Sequence, residues 1–413
     1  MRAETKKEGL LDLLNPRTLP VFLMFFFWGF GTGGLWLVRP LFAYSVSDSF
    51  LLVALASSVS AAPRTFVGAL TGYLTDKFGR KPFIILGAAI HITSLTGQFF
   101  SETYLPFFLL EILGGTGIAV WLTSSNALLA DETEIASRGR AVALRQTSSR
   151  IGLLAGPAVA GIVATTISLP SVFLFIAINK VAVIIVTVWW IRESHTQRRI
   201  AADSGGDTTK KKRKLIPNLD LSMFRNRAFL ALAIGTFAVS MVVGGTGVFR
   251  TFFPVQGTDV AGLDEIQVGN LIAISGILAL FAAIPSGIAA DRYGRKKTLI
   301  IGLLITALSV WLMSDLSSFS GALAAVLIFG LAEAIGTGTV QTYAMDLAPE
   351  DKRGAFLGVW AFSQSAGQTA GPLFIGMIAD TVSFTTAFLA VVVLLLIGTA
   401  MVMVFGKETY RRT

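Results

Sequence analysis

Twelve apolar runs divide this chain, each close to or beyond the roughly 20 residues that a helix needs to cross a bilayer. They fall at 19–44, 50–74, 82–100, 105–130, 139–166, 171–191, 228–255, 265–290, 298–314, 320–345, 354–379 and 384–405. Lipid offers a backbone no hydrogen-bonding partner, so a segment placed in it must close its own N–H and C=O groups, and a single run does this only as a helix. The composition points to the same solvent. With 53% hydrophobic residues, 14% charged residues and a mean hydropathy of +0.69, the chain has more apolar surface than a soluble core of this length could hide. The expectation is an all-α membrane protein of twelve transmembrane helices.

The runs come as two sets of six. Residues 72–82 read G-Y-L-T-D-K-F-G-R-K-P and residues 287–297 read G-I-A-A-D-R-Y-G-R-K-K, a spacing of 215. At the same offset Gly115 meets Gly330, Asp131 meets Asp346, Arg138-Gly139 meets Arg353-Gly354, and Gly156-Pro157 meets Gly371-Pro372. This is an internal duplication, and both copies are embedded in the membrane. The expected partition is a six-helix bundle over 1–192, a basic cytoplasmic linker over 193–227, a second six-helix bundle over 228–405 and a cytoplasmic tail over 406–413. The linker holds S-G-G-D-T-T and then K-K-K-R-K, a composition that suits a flexible segment.

Lysine and arginine set the orientation, because cationic loops resist translocation. Of the 34, 28 fall in seven segments that alternate on one side: 1–18, 75–82, 131–140, 192–227, 291–297, 349–353 and 406–413. The loops on the other side carry none. Both termini are therefore expected in the cytoplasm, in a multi-pass protein of the cell membrane. The formal charge of +9 reflects that topology and calls for no nucleic-acid partner. The first apolar run is too long for a signal-peptide core and no A-x-A-like site follows it, so it is expected to remain as a helix. With no cysteine and only His91 and His195, thiol chemistry is excluded and metal chemistry has almost no ligands. No G-x-x-x-x-G-K-[ST] nucleotide signature is present either.

In D-x-x-G-R-K between two spanning helices, the glycines permit a tight reversal, the aspartate accepts from an arginine or a helix N-terminus, and the basic residues anchor the loop. Two copies in register, each after the second helix of a six-helix half, resemble the loop signature of the major facilitator superfamily. That resemblance implies two six-helix bundles around a central cavity that opens alternately to each side. It also implies an inside latch, carried over to Gly72, Asp76, Gly79, Arg80 and Arg138, and to Gly287, Asp291, Gly294, Arg295 and Arg353; loop anchoring alone is the other reading of these residues. G-x-x-x-G-P at Gly152, Gly156 and Pro157 is similar to the signature of the drug:proton antiporter branch. Its recurrence at Gly367, Gly371 and Pro372 reads equally as a duplicated packing and bending element. In that branch the fourth helix carries an arginine in R-x-x-x-G, where this chain has Glu111 before Gly114-Gly115, a reversal of charge. Glycines cluster inside the first run (Gly29, Gly31, Gly33, Gly34) and the seventh (Gly244, Gly245, Gly247), which suits either close packing or bending.

A charge near the bilayer centre costs about 2.5–3.5 kcal/mol on insertion scales, so one that is retained is paired, hydrated or functional. The six cations outside the loops are Arg39, Arg64, Arg145, Arg150, Lys180 and Arg250, and the acids are Glu111 and Glu333. Arg39, Arg145 and Arg250 lie near run ends and are expected to reach water. Arg150 shares a helical stripe with Gln146, Glu333 with Thr337 and Gln341, and Arg250 with Thr246. Candidate proton-coupling residues are therefore Glu111 and Glu333. Candidate cavity residues are Arg39, Arg64, Asn126, Gln146, Arg150, Arg250, Thr337 and Gln341. The function expected is secondary transport of a small organic molecule by a monomer, without catalysis, metal or bound cofactor, powered by a proton gradient and directed to export. The alternatives are a proton symporter that takes up an organic anion and a passive facilitator.

Overall fold

The computed structural model describes residues 18–133, 138–191, 227–349 and 353–409. Among them are fourteen helices and no strand: α1 Leu19–Ser45, α2 Phe50–Val59, α3 Ala62–Phe78, α4 Lys81–Phe99, α5 Tyr104–Asp131, α6 Arg138–Thr166, α7 Ser171–Trp190, α8 Arg227–Val242, α9 Val248–Asp259, α10 Glu265–Tyr293, α11 Arg295–Met313, α12 Phe319–Leu347, α13 Arg353–Thr381 and α14 Phe384–Phe405. They account for the twelve runs, because two runs are each broken into a pair. The second run becomes α2 and α3, interrupted at Ser60–Ala61 with Pro63 in the first turn of α3. Pro63 brings no N–H to the ladder, and the first turn of a helix accommodates a proline most readily because its N–H groups have no intrahelical partner. The seventh run becomes α8 and α9, separated by 243–247, where Gly244 adopts a φ of +125° that side chains disfavour. Nine of the helices among the described residues are each long and apolar enough to cross a membrane. Large apolar side chains such as Phe66, Phe281, Ile284 and Phe362 point outward, as lipid-facing positions do.

The chain packs as two units. Unit 1 comprises residues 1–38 and 59–210, and unit 2 comprises 39–58 and 211–413. In unit 1, α4 packs on α5 and α7, and α3 on α5; in unit 2 the equivalent helices repeat this, with α11 on α12 and α14, and α10 on α12. Hydrophobic attraction does not hold such helices together, since lipid tails are as apolar as leucine; close backbone approach does. The duplicated G-x-x-x-G-P supplies it. A Cβ on Gly152 would strike the Phe26 carbonyl and one on Gly156 the Phe30 carbonyl, so α6 lies directly on α1. In unit 2, Gly367 meets the Phe237 carbonyl and Gly371 the Met241 carbonyl, so α13 lies on α8 in the same way. Both α6 and α13 continue past their prolines, Pro157 and Pro372. The glycines of α1 answer this packing: Gly29 faces the Ser149 carbonyl and Gly33 the Leu153 carbonyl.

Candidate functional site

Unit 2 holds an ion pair in its interior. The break at 243–247 restarts the chain as α9, whose third residue is Arg250, and this brings Arg250 opposite Glu333 on α12. Nη2 of Arg250 donates to both carboxylate oxygens of Glu333, at 2.9 Å each. Arg250 is buried, and the wall beside it is aromatic, with Phe249 stacked on Phe329 at 3.6 Å and the guanidinium 5.9 Å from the Phe329 ring centre. A charge-assisted bond against such a wall is stronger than one in water. The run-end position of Arg250 predicts access to water; the structure instead buries it, because Glu333 meets its charge within the unit. Thr246 lies in the break, so it shares no helical stripe with Arg250; its carbonyl accepts from Thr251 Oγ1 at 3.2 Å.

Unit 1 holds its interior charges differently. Glu111 is buried between α4 and α5 and accepts from Nε2 of Gln98 at 3.0 Å. Residues 91, 94 and 98 recur at helical spacing on the face of α4 turned to α5, where Ser94 donates to the Leu110 carbonyl at 2.7 Å and a Cβ on Gly114 would come within 2.8 Å of Ser94 Oγ. Beside them the Trp28 ring stacks on Trp121 at 3.7 Å and lies 5.3 Å from His91. Lys180 of α7 is wholly buried: its Nζ donates to the Trp28 carbonyl at 2.8 Å and sits 4.0 Å from the centre of the Trp28 ring. Among the described residues Lys180 forms no ion pair with a carboxylate.

At the motif, each unit builds the same clasp. Gly79 and Gly294 turn the chain at φ values of +100° and +104°, where any other residue would be strained. Arg80 bonds Asp76 at 2.7 Å and Asp131 at 3.1 Å; Arg295 bonds Asp346 at 2.8 Å and lies 3.5 Å from Asp291. Asp131 and Asp346 complete the clasps from the ends of α5 and α12. Sequence reasoning did not place them in the site, although their 215-residue offset carried the signal. In unit 2 the carboxylate of Glu408 also accepts from the backbone N–H of Arg295 at 2.9 Å, capping α11. Nearby, Ser286, Gly287, Asp291, Thr339 and Thr342 line a recess of about 140 Å³.

The remaining candidates scatter. Arg39 is buried near the end of α1. Asn126 accepts from Arg145 Nη1 at 2.9 Å, which leaves Arg145 tied within unit 1. Gln146, Arg150, Gln341, Gly287 and Arg353 are exposed, and Gly72 is half-buried. The side chains of Arg64, Arg138 and Thr337 lie outside the described residues.

Two duplicated bundles of membrane-length helices, with polar groups held inside and a charged clasp at each repeat, define a multi-pass membrane transporter. The family model "Major Facilitator Superfamily" matches residues 21–264 and 246–413. The chain belongs to the major facilitator superfamily. It is 24% identical over 399 residues to the uncharacterized MFS-type transporter YttB of Bacillus subtilis (strain 168), covering 95% of this chain and 96% of that one. It is 26% identical over 272 residues to the multi-drug resistance efflux pump PmrA of Streptococcus pneumoniae serotype 4, covering 64% and 63%. Among solved structures, the nucleoside transporter NupG superposes with a TM-score of 0.74 at 14% identity, covering 96% of this chain and 99% of that one, a likeness of fold.

Proposed function

We propose that this protein exports a small organic molecule in exchange for protons, with Glu333 as the proton carrier and Arg250 as its partner. The Arg250–Glu333 pair carries the reading. A proton on Glu333 turns an ion pair into a cation beside a neutral acid, which removes most of the attraction that holds α9 to α12 at this point. Exchange needs proton and cargo to occupy the site in turn: the ionised carboxylate of Glu333 accepts from a donor group of the cargo, and a proton on it withdraws that acceptor and releases the cargo. Loss of the proton on the other side restores the carboxylate for the next cargo. One proton moving down about 100 mV supplies roughly 2.3 kcal/mol, enough for accumulation of several tens-fold. The direction is argued from similarity to a protein named as a multi-drug efflux pump. The orientation, with both termini in the cytoplasm, is argued from the placement of lysine and arginine in the sequence.

Purified protein in liposomes with an acidic lumen and an enclosed pH dye tests this. Addition of amphipathic organic compounds from a labelled panel is expected to alkalinise the lumen as each is exchanged for protons. Glu333→Gln is expected to abolish that response while the protein inserts normally. Compound entering together with protons would indicate symport, and flux indifferent to pH and voltage would indicate facilitation. Response lost in Glu111→Gln and kept in Glu333→Gln would move the carrier role to the buried carboxylate of unit 1.

A further inference from the structure

The recess between α10 and α12 is a place where the two repeats differ. Gly338 stands where the first repeat has Thr123, and Gly287 stands where it has Gly72. In unit 1 the Thr123 side chain takes up the space: a Cβ on Gly68 would lie 3.5 Å from Thr123 Oγ1, and one on Gly72 would lie 3.9 Å from Thr123 Cγ2. In unit 2 a Cβ on Gly287 or on Gly338 would meet nothing within 4 Å. The volume that a threonine fills in one repeat stays open in the other, at about 140 Å³.

Two polar groups of its wall are also held differently from their counterparts. A threonine inside a helix can spend its hydroxyl on the carbonyl four residues back, as Thr306 does on Gly302, Thr342 on Gly338 and Thr399 on Leu395. Ser124, the counterpart of Thr339, does the same on Val120 at 2.8 Å. Thr339 does not. It lines the recess with 3% of its surface exposed, and among the described residues its Oγ1 meets no hydrogen-bond partner. A buried hydroxyl of that kind is an exception, and it calls for a partner that the fold does not supply. Asp291, also in the wall, lies 3.5 Å from Arg295, where Asp76 sits 2.7 Å from Arg80. Strong charge-assisted bonds run at about 2.7–2.9 Å, so the carboxylate of unit 1 is held fast by its arginine and that of unit 2 is held loosely.

We propose that this recess binds a small organic ammonium compound, with its N–H donors on the Asp291 carboxylate and a hydroxyl or carbonyl of the same molecule accepting from Thr339. The polarity of the wall decides the class. Ser286 donates to the Ala283 carbonyl at 2.9 Å and Thr342 to the Gly338 carbonyl at 3.0 Å, so their oxygens are left to accept. With Asp291 they outnumber the single unspent donor of Thr339, and an ammonium brings donors and positive charge together. Ala283, Gly287, Ala290 and Gly338 make the rest of the wall flat and apolar, which suits a short alkyl chain. A cavity of about 150 Å³ takes a molecule the size of benzene, so one of roughly six heavy atoms fits here. Thr339 lies about 9 Å along α12 from Glu333, at a rise of about 1.5 Å per residue. The site is therefore separate from the Arg250–Glu333 pair, and the proposal does not depend on which residue carries the proton.

The chain contains no cysteine, so Ala283→Cys places a single thiol in the wall of the recess. In the full-length protein purified in detergent, the rate at which that thiol reacts with methyl methanethiosulfonate reads whether the recess is occupied. Aminopropanol, which carries an ammonium and a hydroxyl, is small enough that a dissociation constant on the order of millimolar is expected. At ten times that concentration it should slow the reaction about tenfold. Propanediol, its uncharged analogue, should leave the rate unchanged. Thr339→Val keeps the volume and removes the hydroxyl, and should raise the aminopropanol concentration for half-protection about three- to tenfold. Gly338→Thr copies the residue that unit 1 already carries at this place, and should abolish protection. No protection by aminopropanol, equal protection by propanediol, full protection in Gly338→Thr or unchanged half-protection in Thr339→Val would each overturn the proposal. Protection by phosphatidylethanolamine in phosphatidylcholine vesicles, with none from the free amine, would overturn it in favour of a lipid headgroup.

Discussion

The two units share their scaffold and differ in their interior charges. Clasp, packing glycines and helix contacts recur at the 215-residue offset, down to Asp131 and Asp346. None of the interior ionisable groups does. Arg250 and Glu333 correspond to Leu35 and Ile118, while Glu111 and Lys180 correspond to Val326 and Leu395. Duplication preserved what folds each unit, and the interior charges are where the units differ. Unit 2 balances a cation against a carboxylate, whereas unit 1 holds a carboxylate on an amide and an amine on a carbonyl and an indole face.

The largest effect is expected where that contrast is sharpest. Glu333→Ala takes from a buried guanidinium the carboxylate that accepts two of its bonds and should cost about 3 kcal/mol or more of stability, read as a large fall in melting temperature in detergent. The paired change Arg250→Met with Glu333→Leu should recover most of it, because an apolar pair of similar volume removes the desolvation penalty as well as the attraction. A double variant as unstable as Glu333→Ala would mean that unit 2 depends on the pair for more than charge balance. Glu111→Ala should cost less, about 2 kcal/mol, because it orphans a neutral amide, not an ion. An equal loss in Glu111→Ala and Glu333→Ala would erase the distinction drawn between the units.

The clasps sharpen the comparison from the shared side. Arg80 has 6% of its side chain exposed and Arg295 has 22%, with their aspartates likewise less exposed in unit 1 than in unit 2. Water screens the second clasp more. Arg80→Ala is therefore expected to cost about 2 kcal/mol and Arg295→Ala about 1 kcal/mol or less, measured side by side by thermal unfolding. The reverse order would show that burial does not rank the two copies.

Periodic and local signals made the scaffold legible, and pairing across distance stayed hidden. Apolar length alone marks the twelve runs, and the offset marks the clasps. The same signal, a cluster of glycines inside a run, nevertheless has two outcomes. In α1 the glycines are consumed by contact with the carbonyls of α6 and the helix continues, while in the seventh run Gly244 turns to a φ of +125° and the helix breaks. The glycine pattern alone does not state which outcome follows. The burial of Arg250 escapes sequence reasoning for the same reason, since its depth follows from position but its partner lies 83 residues away.

The smallest effect is expected at Lys180, and it tests what a buried lone cation is for. Its ammonium has one carbonyl bond and the face of Trp28, and no carboxylate among the described residues meets it. Against those gains stands the desolvation of a charge that methionine would not carry, on a side chain of similar length. The two nearly cancel, so Lys180→Met should shift stability by no more than about 1 kcal/mol in either direction. Trp28 would remain stacked on Trp121 at 3.7 Å, because that contact does not involve the amine. Thermal unfolding measures the first expectation, and tryptophan emission, expected to change little in position, checks the second. A loss of several kcal/mol would mean that Lys180 is the tie holding α7 to α1, and unit 1 would then depend on an interior charge as unit 2 does.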